Sequence, residues 1–363
     1  MGKAPADDSR GAPPVGGKRA VGGRGNGQTI GLRQVAAIAG VSTATVSRVI
    51  NNPDVVSPEL RTRIEMVIKQ LGWVPSGAAR ALATKRTGAI GAVFPALAQG
   101  DFARAIDALQ DELTQRNHTL LLARSRYSEE LEHQQVVKLV ERGVDGLVLV
   151  GKTRPYLLQT FLDQQKVPYV NTFVFEAGSS VPCIGPDNHQ ALFRMTEYLI
   201  SLGHRKFALI AQSTKNNDRA QARREGVFSA LAEHGLAITP AHSTEGQWSI
   251  EEGRQLFRRI LDAKPWPTAV ICGNSMLAIG AVLESQAMGI KVPEEMSIVG
   301  YDDIEIMREL PISITTVRVA SDEIGRIAGK VIVEMVSGGA SVGGVELPSE
   351  LVVRQSSGPA PRR

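Results

Sequence analysis

The sequence predicts an α/β protein with a small all-α domain near its N-terminus. Three observations support this prediction: helical periodicity over residues 32–71, strand-like segments alternating with helix-like ones from residue 88 onward, and a basic N-terminal quarter ahead of an acidic body. A chain of 363 residues is long enough for two or three domains. We therefore expect a helical domain over residues 29–75 and an α/β body over residues 88–353.

The helical segment has the pattern of a helix-turn-helix. A first helix from Leu32 ends at Gly40, a residue that suits the left-handed end of a helix. Ser42 is a good N-cap for a second helix over residues 43–51, and Ser57 is a good N-cap for a third. Such a motif inserts its second helix into the major groove of DNA. The exposed face of that helix, which would meet the edges of the bases, carries Thr43, Ala44, Ser47 and Arg48. Thr43 and Ser47 could equally serve as helix caps or as ordinary solvent-exposed residues.

The charge of the chain is divided unevenly along its length. Residues 1–86 hold thirteen Lys and Arg against five Asp and Glu, a net charge of +8, and the remainder of the chain carries −4. Eight of these basic residues lie from Arg33 to Arg86, inside patterned sequence rather than in a featureless tail. A basic head on an acidic body favours a head that binds a polyanion such as nucleic acid.

The body reads as two series of alternating strands and helices, which predicts two lobes built on parallel sheets. Ligands of such sheets bind beside the carboxyl ends of the strands. The expected helices lie near residues 101–117, 128–142, 154–165, 188–202, 218–235, 249–263 and 274–288.

An enzymatic body is disfavoured. No G-x-G-x-x-G follows the first strand, which argues against a Rossmann dehydrogenase, and no phosphate-binding loop, zinc spacing or G-x-S-x-G elbow occurs. We therefore expect no catalytic residues, cofactor or metal. The alternative that remains is a sugar-binding protein without a regulatory role, and the basic helical head favours a regulator over it.

The terminal segments and the cysteines indicate the cellular compartment in which we expect the protein. Residues 1–28 are rich in glycine, contain no hydrophobic segment and are expected to be a disordered tail rather than a signal peptide. No apolar run is long enough to span a membrane, and two distant cysteines suit a reducing compartment, so we expect a cytoplasmic protein. Residues 354–363 are expected to be a flexible tail without the apolar heptads that would join dimers into a tetramer.

The stretch from Leu32 to Ala83 resembles, without gaps, the DNA-binding head of the lactose-repressor/galactose-repressor family. Its most specific parts are AGVS at 39–42, TVSRV at 45–49 and the pattern P-x-x-x-A-R-A-L at 75–82. The resemblance implies a sequence-specific transcription regulator, most simply a repressor, that binds a near-palindromic DNA operator as a homodimer. Gly31 and Gln34 depart from the family's usual helix cap and Asp, so the first helix is expected to be less firmly started.

The same resemblance implies roles for single residues of the head. Thr43 and Ala44 match the positions that vary with the operator, and Arg48 matches the arginine that reads a base. Residues 76–87 match the hinge helix and linker, in which Ala79 and Leu82 meet the minor groove and Leu82 is the wedge that kinks DNA. The positions that match contacts to phosphates or bases are Ser42, Thr45, Ser47 and Asn51.

The body also resembles this family, with landmarks such as IGPDN at 184–188 and GIKVPEEMSIVGYDD at 289–303. The resemblance implies a two-lobed fold like the periplasmic sugar-binding proteins, with a small effector in the cleft. Spacing details are similar to those of gluconate-type repressors, so we expect a sugar or sugar acid, with a gluconate-like acid as the leading candidate. Lys152 and Arg154 are reserve partners for its carboxylate. The residues matching effector contacts are Arg223, Trp248, Asn274 and Asp302, each of which would also suit a structural role.

Overall fold

The structure is a computed structural model that describes residues 30–75, 77, 81, 86–339 and 343–362. The chain divides into two compact units with their boundary between Arg80 and Ala81, and each is described by itself below. Most of the predicted hinge, including Ala79 and Leu82, lies outside the described residues.

The first unit is a three-helix domain. Its helices are α1 (Leu32–Ile38), α2 (Thr43–Asn51) and α3 (Pro58–Leu71), with a 3-10 turn at Pro53–Val55. Their apolar faces meet in one small core in which Val35, Val46 and Ile64 are fully buried. The expected caps form: Ser42 Oγ accepts a hydrogen bond from Thr45 N at 3.1 Å, and no side chain caps α1 at Gly31.

The first lobe of the second unit is built on a sheet with the strand order β11-β5-β4-β3-β1-β2, in which every paired neighbour is parallel. Its strands are β1 (Ala89–Phe94), β2 (Thr119–Arg124), β3 (Gly146–Val150), β4 (Tyr169–Thr172), β5 (Cys183–Gly185) and β11 (Val345–Glu346). Its helices are α4 (Gly100–Gln115), α5 (Glu129–Glu141), α6 (Tyr156–Gln165) and α12 (Ser321–Val336), which packs closely against α4.

The second lobe repeats this plan with the order β12-β10-β9-β8-β6-β7, in which only β12 runs antiparallel to its neighbour among the described residues. Its strands are β6 (Phe207–Gln212), β7 (Ser243–Gly246), β8 (Ala269–Cys272), β9 (Ser297–Asp302), β10 (Thr315–Val319) and β12 (Ser349–Val352). Its helices are α7 (Asn188–Ser201), α8 (Asp218–Glu233), α9 (Ile250–Leu261), α10 (Ser275–Ala287) and the single turn α11 (Ile306–Glu309), with a 3-10 turn at Pro240–His242.

The chain passes between the lobes three times: from β5 to α7, from β10 to α12, and from β11 to β12. The central strands β1, β3, β4, β6 and β8 are buried along nearly their whole length, as expected of strands covered by helices on both faces. The edge strands β2, β7 and β12 are partly exposed. The carboxyl ends of the strands from the two lobes border one cleft, where ligands of such sheets bind.

The prediction of a flexible tail over residues 354–363 is wrong for its central part. Ser356 is fully buried, its carbonyl accepts from Ile298 N, and Ala360 N donates to Leu202 O. His204 anchors the same segment, because its Nε2 lies 3.1 Å from Gly358 O. The segment is short and polar, so its sequence resembles a loop, but lobe 2 supplies partners for its backbone.

Candidate functional site

Helix α2 presents one polar face to solvent. Thr43, Ala44 and Arg48 are exposed on it, whereas Val46 and Val49 point into the core. Arg48 forms no ion pair with any part of the chain that the structure describes. The exposed face can therefore offer a hydroxyl, a methyl group and a guanidinium to the edges of base pairs, which are the groups used in major-groove readout.

The other polar residues at and near α2 form hydrogen bonds with one another inside the domain. Ser42 Oγ lies 2.9 Å from Thr45 Oγ1 and caps the helix, so this hydroxyl has a structural function. Asn51 Nδ2 donates to Ser47 Oγ at 3.2 Å, and the buried Asn51 Oδ1 has no hydrogen-bond partner. Ser47 and Asn51 thus form one hydrogen-bonded pair on the side of α2.

A cavity lies in the cleft of the second unit. Small-molecule sites commonly lie in clefts of this kind. Both lobes contribute side chains to it, and three of the four residues expected at an effector site, Arg223, Trp248 and Asp302, line it together. The other lining residues are Gln99, Gly100, Asp101, Phe102, Tyr127, Phe173, Pro186, Asn188, Gln212, Asn217, Arg219, Ser275, Tyr301, Ile304 and Val319.

Arg223 is the central cation of this cavity. It is 8% exposed, and its guanidinium donates to Asn188 Oδ1 at 2.8 Å and to Gln212 Oε1 at 3.1 Å. The guanidinium also lies over the ring of Tyr301, 4.5 Å from the centroid. Its Nε is buried without a hydrogen-bond partner, and no carboxylate within the described ranges forms an ion pair with it. The cavity therefore contains a buried positive charge held by neutral groups.

Arg219, one helical turn before Arg223 on α8, is a second cation at the cavity wall. Unlike Arg223, it has a partner, since its guanidinium lies 3.0 Å from Asp218 Oδ1. Asp218 also accepts hydrogen bonds from the backbone N–H groups of Lys152 and Thr153 in lobe 1. Burial raises the pKa of Asp218, but Arg219 and these N–H donors outweigh it and hold the pKa below its usual range. The ionised carboxylate thus links the two lobes beside the cavity.

Asp302 reaches the cavity from an unusual backbone conformation at the end of β9. Its φ of 94° lies in the region that favours glycine, and Asp303 follows with a φ of 56°. Strain of this kind persists where the surrounding structure holds it in place. Here Ser275 N and Oγ both donate to Asp302 Oδ2, at 3.3 and 3.2 Å, while Asp303 pairs with Arg318 and Arg354.

Asp101 lines the same cavity from the first turn of α4 in lobe 1. It is 7% exposed, and Arg104 contacts its Oδ1 at 2.5 Å. Burial and the neighbouring Asp302 raise the pKa of Asp101 well above its usual range, and Arg104 offsets this only in part. The cavity lining therefore holds two carboxyl groups, those of Asp101 and Asp302, as well as the guanidinium of Arg223.

Aromatic rings form the apolar walls of the cavity. Phe102 and Phe173 meet edge to face with their centroids 4.9 Å apart. Tyr127, in a left-handed conformation with φ 58°, accepts a hydrogen bond from Gln212 Nε2 at 3.1 Å across the cleft. Together with Trp248, these rings offer flat apolar surfaces of the kind that cover the carbon faces of a sugar.

Three expectations about the cavity need correction. Asn274 does not line it: its Oδ1 caps α10 by accepting from Leu277 N at 2.9 Å, and Ser275 forms the wall instead. Lys152 pairs with Glu176 on the surface of lobe 1. Arg154 is buried beside Glu132 and under Tyr169, with both terminal nitrogens bound to backbone oxygens. Both reserve cations follow strand β3, but their side chains turn away from the cleft.

The sequence reasoning missed most of the polar lining, including Asp101, Asn188, Gln212, Arg219 and Tyr301. Gln212 and Tyr301 are at the carboxyl ends of β6 and β9, so the rule that ligands bind at strand ends could have indicated them. Arg219 lies one turn from Arg223 on the same helix and could have been inferred from it. Asp101 carried no comparable local signal.

No group of three or more His, Cys, Asp or Glu side chains in the described ranges is arranged to hold a metal ion. Among the helices of that same part of the chain, none is both long and apolar enough to cross a membrane.

Comparisons with known proteins identify the family. Residues 31–76 match the model of the bacterial regulatory proteins of the lacI family, and residues 196–357 match the periplasmic binding protein-like domain. The chain is 30% identical over 332 residues to the HTH-type transcriptional repressor PurR of Haemophilus influenzae (strain PittEE), which covers 90% of this chain and 98% of that protein. The chain belongs to the LacI family.

Two further relatives of this LacI-family chain agree. The HTH-type transcriptional repressor CytR of Escherichia coli (strain K12) is 28% identical over 327 residues, 90% of this chain and 96% of that protein. A crystal structure of the lac repressor dimer bound to operator and an anti-inducer is 26% identical, with a TM-score of 0.80 over 91% of this chain and all of that one. The α/β fold with a helical N-terminal domain is confirmed, and the chain is a DNA-binding transcriptional repressor of this family.

Proposed function

We propose that this LacI-family chain represses transcription as a homodimer on a near-palindromic operator, and that a sugar acid resembling gluconate controls it by binding in the lobe cleft. The observation that carries the effector assignment is the buried guanidinium of Arg223, which lacks an anionic partner among the described residues. Its relatives in the family include a repressor crystallised as a dimer on its operator.

The DNA-binding part of the proposal rests on α2. Arg48 would fork onto a guanine, and Thr43 and Ala44 would meet neighbouring bases at the exposed start of the helix. Ser42, Thr45, Ser47 and Asn51 remain candidate contacts to phosphates or bases. One such domain covers too few base pairs for specificity, so two related by a two-fold axis are expected on the operator. Ala79 and Leu82 remain assigned to the minor groove from the sequence alone, with Leu82 as the wedge.

The anionic end of the effector follows from the chemistry of Arg223. A buried cation that meets only amide oxygens and a ring face is more stable once a carboxylate replaces water beside it, and guanidinium offers that carboxylate a two-pronged donor. The unpartnered Nε supplies one N–H for this purpose. Arg219 is already neutralised by Asp218, so we assign the carboxylate to Arg223 and use Arg219 as a secondary donor.

The hydroxyl-bearing part of the effector follows from the remaining lining. Asn188, Ser275 and Asp302 can exchange hydrogen bonds with hydroxyl groups, and Trp248 can cover the carbon chain. Asp302 alone would suit a neutral sugar, but Arg223 in the same lining offers a partner for the carboxylate of an acid. An effector held by both lobes favours the closed cleft and so can alter operator affinity.

Calorimetry with gluconate and its neutral counterpart glucitol tests this proposal on the full chain. The two ligands differ at one end, a carboxylate against a hydroxymethyl group, so wild type should bind gluconate at least about tenfold more tightly, a difference of about 1.4 kcal/mol. Arg223→Met should remove this preference, and Arg224→Met, on the same helix but outside the cavity lining, should keep it. Binding of neutral sugars or of a purine alone would overturn the sugar-acid effector and leave the repressor assignment intact.

A further inference from the structure

One carboxylate of lobe 2 is bound by the backbone of lobe 1. Asp218 is the first residue of α8, and its Oδ2 accepts hydrogen bonds from the backbone N–H groups of Lys152 at 2.6 Å and Thr153 at 3.0 Å. Its Oδ1 accepts from Arg219 on its own helix, from the backbone N–H at 2.9 Å and from the guanidinium at 3.0 Å. The side chain of Asp218 is 13% exposed. Each carboxylate oxygen therefore has its own set of donors, one set from each lobe.

The loop of lobe 1 that follows β3, residues 151–153, has the shape that this contact requires. Gly151 has a φ of 80°, and in turns of this kind successive N–H groups form a concave site for an anion. Arg154 binds the other side of the loop, because its guanidinium donates to the carbonyl oxygens of Gly151 at 2.9 Å and Lys152 at 3.2 Å. The Arg154 side chain is 2% exposed and lies 3.8 Å from Glu132 Oε1. With its carbonyl groups bound to a buried arginine, the loop presents its N–H groups to Asp218.

The two lobes also approach each other closely at this loop. A Cβ built on Gly151 would lie 2.2 Å from Arg219 Nη1 and 2.6 Å from Asp218 Oδ1. A side chain at position 151 would therefore push the carboxylate away from the N–H groups that bind it. Glycine suits this position both for its positive φ and for the space it leaves to the other lobe.

We propose that Asp218 and residues 151–153 form a latch that holds the cleft closed before any effector binds, with Arg154 as the residue that positions the loop. The latch consists of protein groups alone and needs no effector, so it goes beyond the function proposed above. Only its consequence for affinity rests on the effector site. A ligand held by both lobes binds the closed cleft, so its apparent affinity scales with the fraction of molecules that are already closed.

A purely local role of Asp218 at the start of α8 explains less of the geometry. Asn217 already caps this helix, since its Oδ1 accepts from Ala220 N at 3.2 Å. An acid in the first turn also favours a helix through the helix dipole, but that effect requires no partner in lobe 1. Burial raises the pKa of Asp218, but Arg219 and the N–H donors outweigh it, so the carboxylate is ionised near neutral pH. Hydrogen bonds to an ionised acceptor are stronger than neutral ones, which suits a contact that must hold two lobes together.

The first arm of the test measures closure in the ligand-free full chain. Spin labels at Glu130→Cys and Lys215→Cys report on it, because these exposed residues border the mouth of the cleft from opposite lobes. Both native cysteines are buried, so the labels attach to the introduced ones. Asp218→Asn leaves one neutral oxygen for two sets of donors and should add a population at longer distance. Asp322→Asn, which removes an exposed acid from the first turn of α12, is the matched control and should keep the wild-type distances.

A second pair of variants approaches the latch from lobe 1. Gly151→Ala should also add the longer distance, because its methyl group would meet Asp218 and Arg219. Gly178→Ala is its matched control, since Gly178 has a φ of 72° and a Cβ there meets nothing within 4 Å. Both substitutions carry the strain of a positive φ, but only the first one reaches the other lobe. Gly178→Ala should therefore keep the wild-type distances.

Calorimetry with gluconate gives the second arm, and the sign of the change is informative. Asp218→Asn should weaken gluconate binding at least about fivefold, because fewer molecules are closed in advance. If the carboxylate acted only by neutralising Arg219 at the cavity wall, its removal would leave an unpaired cation there and tighten the binding of an anion. Gly151→Ala should weaken binding as Asp218→Asn does, whereas Asp322→Asn and Gly178→Ala should keep the wild-type affinity.

Two results would overturn the latch. One is an identical distance distribution for wild type and Asp218→Asn without ligand, which would mean that the contact does not hold the lobes together. The other is tighter gluconate binding by Asp218→Asn, which would assign the carboxylate to charge balance in the cavity. If wild type binds no gluconate, the proposed effector is wrong, and the distance measurement still decides whether the latch exists.

Discussion

Two arginines of this chain show how surroundings assign a side chain its function. Arg48 is exposed on α2 with no ion pair in the described parts of the chain, so its donors are free for an incoming partner such as DNA. Arg223 is buried in a cavity among neutral amides and a tyrosine ring, which is why we assign the carboxylate of the proposed effector to it. Arg154 is not available to a ligand, because its N–H groups already donate to backbone oxygens of its own lobe and its side chain pairs with Glu132.

Replacement of Arg48 tests its role in reading bases. Arg48→Ala should weaken operator binding by about 1–3 kcal/mol and affect non-specific DNA much less, because a bidentate contact to guanine carries discrimination. The matched control is Arg63→Ala, which removes the same charge from an exposed site on α3 and should reduce both affinities alike. Fluorescence anisotropy with operator and scrambled duplexes measures the two affinities. Equal losses on both duplexes for Arg48→Ala would make Arg48 a phosphate contact.

At the scale of elements, the helices of lobe 2 approach one another through glycines. A Cβ built on Gly280 of α10 would lie 2.2 Å from the carbonyl oxygen of Ile250, at the start of α9. Gly253 of α9 faces the same crossing, since its Cβ would meet Leu277 O at 2.6 Å. Helix α10 is buried on nearly all sides, which accounts for its apolar sequence without a polar stripe. Close backbone contact thus fixes this helix pair behind the cavity wall at Ser275.

The glycine contact between α9 and α10 predicts a stability effect. Gly280→Ala should lower the free energy of unfolding by about 1–3 kcal/mol, because the added methyl group meets backbone that cannot rotate away. Gly343→Ala is the control: a Cβ there meets nothing within 4 Å, and its effect should stay within about 0.5 kcal/mol. Urea unfolding followed by circular dichroism gives both values. A neutral Gly280→Ala would show that the two helices can separate without cost.

At the scale of the whole effector-binding unit, the C-terminal segment 356–360 closes lobe 2. Ser356 Oγ accepts from Thr315 N at 2.9 Å and donates to Ile298 O, so it bridges β9 and β10. His204 joins the segment to the rest of the lobe through Thr268, Ser297 and Gly358. Burial lowers the pKa of His204, which keeps its ring neutral and able to both donate and accept. The segment thereby links strands β9 and β10 to helix α7, which precedes β6.

Truncation measures the contribution of this segment. Deleting residues 356–363 should lower the unfolding temperature by at least about 4 °C, since several buried polar groups lose their partners at once. Deleting only residues 361–363 should leave it within about 1 °C, because it removes none of the hydrogen bonds described above. Differential scanning calorimetry of both truncated chains provides the comparison. Equal unfolding temperatures for the long deletion and wild type would mean that the segment only rests on the lobe.

The local sequence by itself was enough to predict the helical domain and the α/β class of residues 88–353. Apolar spacing and the caps at Ser42 and Ser57 act within one or two helical turns, so α2 and α3 could be bounded without knowing the tertiary structure. The alternation of strands and helices likewise predicted parallel sheets, and family motifs identified Arg223, Trp248 and Asp302 as residues of one site. The sequence did not reveal that Asn274 caps a helix.

Only the tertiary structure decided how distant residues meet. Asp101 and Asp302 are 201 positions apart on different lobes, and nothing near either of them indicates the other. The same holds for the C-terminal segment, whose polar sequence resembles a free tail until lobe 2 supplies its hydrogen bonds. The direction of Arg154 depended on Glu132 and Tyr169, on two other elements of lobe 1. Local patterns fix elements because their energies act between near neighbours, whereas the contents of a cavity depend on packing between elements that the chain brings together from far apart.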